Sequence, residues 1–193
     1  MTDWVNDFNA RLEALPPETE EEKEWHRLEW RGAADDAALR ALESALGFAL
    51  PPALHDLHLT HGPFQSEHFA DAWETVLLRN CDEMAEARGL PAFIDFQWGG
   101  RPELAEGLTA AERAHLNAAT VVFGLRHIND NEHEYFFFHS DGRIGTVMLD
   151  QDSMDWALEQ LHGIAKGEFA DETLAALFSR QFDAMIEGFK DLV

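Results

Sequence analysis

Apolar residues recur along this chain at two spacings, and the change of spacing marks the change of element. Trp4, Phe8, Leu12 and Leu15 fall three and four residues apart, as on one face of an amphipathic helix, and Pro16-Pro17 ends the segment. Glu18 to Trp30 reads as a second helix with Trp25 and Leu28 facing inward, and its Glu20-Glu21-Glu22 run suits the positive end of a helix dipole. Ala34 to Leu46 repeats the helical pattern through Leu39, Leu42 and Leu46, with Asp35 or Asp36 as cap and Gly47 as the left-handed stop. Leu50-Pro51 forces an extended step. Pro51 or Pro52 then opens a helix carrying Leu54 and Leu57, which Gly62-Pro63 closes.

The pattern shortens to period two between Thr120 and Asp150. Val121-Val122-Phe123, Glu134 to His139 and Ile144 to Leu149 read as three strands, with Asp141-Gly142 supplying a tight hairpin turn. Three successive phenylalanines, Phe136 to Phe138, predict a strand buried on both faces. Upstream, Trp73 to Leu78 is strand-like, Asn80 or Asp82 caps a short helix ending at Gly89, and Phe93 to Trp98 reads as a further strand before Gly99-Gly100. Thr109-x-x-Glu112 is a capping box opening a helix through Leu116. Ser153 or Asp152 caps a helix with Trp156, Leu158, Leu161 and Ile164, and a last helix from Asp171 carries Leu174, Leu177, Phe178, Phe182, Met185 and Phe189. The expected fold is α+β: a single domain, mainly antiparallel sheet flanked by helices. Residues 1–33 are expected as an N-terminal helical extension packed on the domain formed by 34–193.

The corner Glu43-x-x-Leu46-Gly47-x-x-Leu50-Pro51, followed by a helix ending at His61-Gly62, resembles the opening signature of the SUKH superfamily. That family groups relatives of a yeast cell-wall-synthesis regulator with many bacterial toxin-immunity proteins. The family's corner helix usually ends in Asn-Gly, so His61 departs from the pattern while Gly62 keeps it. Thr75–Arg79 followed by Asp82–Arg88, and the hairpin strands of Thr120–Asp150, are similar to the family's later parts, so the likeness covers roughly residues 34 to 165. The resemblance implies a SUKH-like sheet flanked by helices and a protein-binding, often immunity, role.

Charge narrows the partners. The chain carries 37 acidic against 14 basic residues, a net charge of −23. Such a surface repels phosphate backbones and anionic membranes, and it steers basic proteins toward itself with a strength that falls as salt rises. No apolar run approaches the roughly 20 residues that span a bilayer. The first residues lack the pattern of a secretory signal, and the lone Cys81 permits no intrachain disulfide, so a cytoplasmic location is expected.

The titratable residues offer few routes to catalysis. His55, His58 and His61 recur every third residue, but each step turns about 60° around a helix, so the outer two diverge by about 120° and do not converge on one ion. They read as solvent-facing. Cys81 sits beside Asp82 and Glu83, which disfavours a thiolate. His127, His133 and His139 with Asp130, Glu132 and Glu134 surround a loop and its strands, without the nucleophile and orienting group that hydrolysis needs. The expectation is therefore a non-enzymatic binding module with no catalytic residue, metal or cofactor. It would act as an immunity protein that neutralises a basic, nuclease-type toxin domain by stoichiometric occlusion. Asp130, Glu132, His133, Glu134 and Trp98 are its expected partner-binding residues, the carboxylates steering and the aromatics anchoring. A regulatory scaffold of the same fold is the alternative, and a metal-dependent hydrolase the third reading.

Overall fold

The computed structural model describes residues 3–16, 20–69 and 73–190. Pro17, Glu18 and the side chains of Glu20, Glu21 and Glu22 lie outside the described residues. The chain forms an α+β domain around a six-stranded antiparallel sheet whose strands follow chain order, β1-β2-β3-β4-β5-β6. The strands are β1 (Leu28–Trp30), β2 (Phe64–Ser66), β3 (Thr75–Leu78), β4 (Thr120–His127), β5 (Glu132–His139) and β6 (Ile144–Asp150).

Alternation along the strands builds two cores. In β5, Phe136 and Phe138 enter one core while Tyr135 and Phe137 enter the other, and all four are buried. The first core is covered by α1 (Trp4–Glu13), α3 (Asp36–Leu46), α4 (Pro52–Thr60) and α10 (Leu174–Lys190). The second is covered by α6 (Leu90–Gln97), α7 (Pro102–Gly107), α8 (Ala110–Ala119) and α9 (Met154–Ala165). Two short helices, α2 (Glu20–His26) and α5 (Cys81–Glu86), complete the set, and Met84 of α5 joins the first core. The expected burial of the Phe136–Phe138 run on both faces is present.

The corner forms as its residues dictate. Asp35 caps α3 by accepting from the Ala38 amide at 2.7 Å, and left-handed Gly47 closes it. Glu43 Oε1 accepts from the Leu50 amide at 2.9 Å, which fixes the extended step before Pro51. Gly62 follows α4 with φ +89, and a Cβ there would lie 1.9 Å from the Gly32 carbonyl oxygen. Asn80 and Thr109 both head complete capping boxes, with Glu83 and Glu112 as their partners.

Several expectations are corrected. The segment read as a helix from Glu18 to Trp30 contains α2 only to His26 and then turns into β1, whose pairing with β2 supplies the hydrogen bonds that a continued helix would have made internally. Phe93 to Trp98 is helical, because Pro91 opens α6 in its first turn and Leu90, Phe93 and Ile94 bury one helical face. Neither β2 nor α7 has a counterpart in the sequence reading. Trp25 is exposed, and so is Trp156, since the inward positions of α9 are Met154, Ala157, Leu161 and Ile164. His58, expected to face solvent, is fully buried with neither ring nitrogen hydrogen-bonded, while His61 stacks on Trp30 at 4.8 Å.

Candidate functional site

β4 and β5 present a ladder of rings on the second face of the sheet. His127 and His133 are register partners across these strands, and their rings stack 4.7 Å apart at 7°. Tyr135, two residues along the same face from His133, lies 6.1 Å from it. Helix α6 brings Trp98 over both. Its Nε1 donates to the Tyr135 hydroxyl at 2.8 Å, and its ring meets His133 edge-on at 4.9 Å. Gly99 and Gly100 both take positive φ, 68° and 84°, which lets the chain leave α6 sharply and return Arg101 over the Trp98 ring at 5.5 Å. Asp95 fixes that return by accepting from the Arg101 amide at 2.7 Å. At the other end of α6, Arg79 lies 4.7 Å over Phe93, which packs edge-on against Tyr135.

Protonation follows from burial. His133 is held down to about 4, first by burial and then by neighbouring His127, with Asp130 opposing, so the ring is neutral at pH 7. Burial pushes the Tyr135 hydroxyl up to about 12. His133 Nδ1, Arg79 Nε and Arg101 Nε are buried without a hydrogen-bond partner.

The acidic loop after β4 lies beside this ladder. Asp130 is exposed, and its Oδ1 accepts from Trp73 Nε1 at 3.2 Å. The Glu132 carboxylate is tied by Asn129 Nδ2 at 2.7 Å. Trp73 and Phe96 are 60% and 80% exposed, so two aromatic rings stand in solvent, one bonded to Asp130 and the other two residues before Trp98 in the chain.

The structure thus joins Trp98 to His133 with Asp130 close enough to act on that ring, ties Glu132 to Asn129, and sends Glu134 to the opposite face. Glu134 is only 4% exposed. Its two oxygens accept from Arg180 at 2.9 Å and from buried Gln181 at 2.8 Å, and Gln181 continues to Arg126, which is paired with Glu74. This carboxylate ties β5 to α10 and is not available to steer at a rim. Period-two alternation already separates residue 134 from 133 and 135; the loop-based reading grouped them by nearness in sequence. Cross-strand register makes His127, already grouped with His133 in the sequence, its stacking partner, whereas Tyr135 and Arg79 have no part in the sequence expectations, because strand alternation and the fold of α6 set their positions. Among the described residues no group of three or more His, Cys, Asp or Glu side chains is placed to hold a metal ion, and no helix is long and apolar enough to cross a membrane. Compared with known proteins, the chain matches no family model and no curated relative.

Proposed function

We propose that this chain is a non-enzymatic protein-binding module of SUKH-like fold, an immunity-type protein that neutralises a basic, nuclease-type toxin domain by stoichiometric occlusion. The observation that carries the reading is the half-buried Trp98–His133 contact with Asp130 close enough to act on that histidine, exposed Trp73 bonded to the same carboxylate and exposed Phe96 on the helix that carries Trp98, on a chain of charge −23. Aromatic anchors held rigid by neighbouring packing supply affinity at low entropic cost, and Trp98 is held by both Tyr135 and His133. The overall negative field supplies the encounter rate. The acidic face occupies the toxin surface meant for phosphate, which blocks substrate without chemistry. This reading locates the action in the cytoplasm, where the single Cys81 stays reduced.

The test is direct mixing of the purified protein with a basic nuclease domain encoded beside its gene. A 1:1 complex that inhibits the nuclease, and whose association slows as salt rises, is expected. Absence of a complex even at low salt overturns the proposal.

A further inference from the structure

The two outer strands of the sheet close on side-chain amides. On β1, Asn9 of α1 donates from Nδ2 to the Leu28 carbonyl at 2.9 Å, and its Oδ1 accepts from the Leu28 amide at 2.9 Å. On β6, Gln160 of α9 donates from Nε2 to the Met148 carbonyl at 2.8 Å, and its Oε1 accepts from the Met148 amide at 3.0 Å. In each case one side chain satisfies both backbone groups of one outward-facing residue, as a residue of a neighbouring strand would. The side-chain amide of asparagine and glutamine carries a donor and an acceptor on one planar carboxamide, the arrangement a peptide unit presents. A second closure lies further along β6, where Ile144 donates to Asp171 Oδ1 at 3.2 Å and its carbonyl accepts from the Glu172 amide at 2.9 Å. Thr146 is the one outward-facing residue between these two closures.

Unpaired edges are templates for another chain. An added strand needs successive outward residues, and on β6 it would have to displace Gln160 and the Asp171–Glu172 turn together. We propose that Asn9 and Gln160 are edge-closing residues that keep β1 and β6 from pairing with a second copy of this chain. The proposal stands independently of the toxin-binding reading.

Hydrogen exchange on the native protein tests it without any variant. The Leu28 and Met148 amides are expected to exchange more slowly than that of Thr146, although all three face outward; equal rates would overturn the closure. The Asn9→Ala/Gln160→Ala double variant tests the consequence. Its Leu28 and Met148 amides should exchange about tenfold faster, the equivalent of one net hydrogen bond, while inward-facing Val147 stays protected and reports the fold. Sedimentation should show concentration-dependent self-association of the double variant and none of the native chain. A folded double variant that stays as monomeric as the native protein would overturn the role assigned to the amides.

Discussion

His58 holds a polar ring in the first core with neither nitrogen bonded, and burial, with His55 adding repulsion, lowers its pKa from 6.5 to about 4. Between those two values the unfolded chain binds a proton that the folded chain refuses. Stability therefore falls as pH drops below 6.5 and levels off near 4, a loss on the order of 3 kcal/mol from this ring alone. Urea unfolding across that range should show the slope, and His58→Leu should flatten most of it; an unchanged slope would contradict this assignment. Glu134 makes the complementary case. Glu134→Ala strands Gln181 in the core and frees Arg180 from one carboxylate, so a loss of about 2–3 kcal/mol is expected in urea unfolding. Glu134→Gln, which keeps the shape and one acceptor oxygen, should cost less. The environment of His58 is not readable locally, because a buried histidine and an exposed one look alike in a helix where the surrounding residues decide, whereas strand alternation already sets Glu134 apart from His133.

At the scale of elements, legibility followed the length of each pattern. Helices α1, α3 and α10, and strands β4 to β6, carry enough repeats for the core face to be read residue by residue, from Phe8 and Leu12 to Phe182 and Met185. β1 and β2 have three residues each, too few for a period, and exist because they pair with one another and with β3. Taken from Phe93 the α6 sequence alternates like a strand; taken from Leu90, the spacing to Phe93 and Ile94 is helical and leaves Phe96 outside. The corner was legible in its caps and its proline step, but its debt to the N-terminal segment was not. Gly62 packs directly on the Gly32 backbone, Arg31 donates to the Pro63 carbonyl at 2.7 Å, and Ala34 donates to that of His58 at 2.9 Å. Gly62→Ala is accordingly expected to lose at least about 3 kcal/mol through positive φ and a backbone clash, lowering the thermal midpoint by roughly 6–12 °C. A midpoint within about 2 °C of the native protein would show that Gly32 and Gly62 separate freely.

For the whole molecule, two helical layers cover both faces of the sheet and side-chain amides occupy both edges, which leaves binding to surfaces made of side chains. The ladder of His127, His133, Tyr135 and Trp98 joins β4 and β5 to α6, which lies more than twenty residues before them in the chain, so no local motif announces it. Trp98 and His133 were nonetheless both singled out in the sequence, and the fold brings them into contact. Charge acts at this scale as well: raising ionic strength should slow association with a basic partner far more than it speeds dissociation. The central claim is tested most directly by titrating the native protein, Trp98→Ala and Phe96→Ala at low salt against any basic nuclease domain encoded beside the gene. The account predicts a tight 1:1 complex that Trp98→Ala weakens by about 30-fold or more. Phe96→Ala, which removes an exposed ring without touching either core, should weaken it less. Equal affinity of the native and Trp98→Ala proteins, or no binding by the native protein, would contradict it.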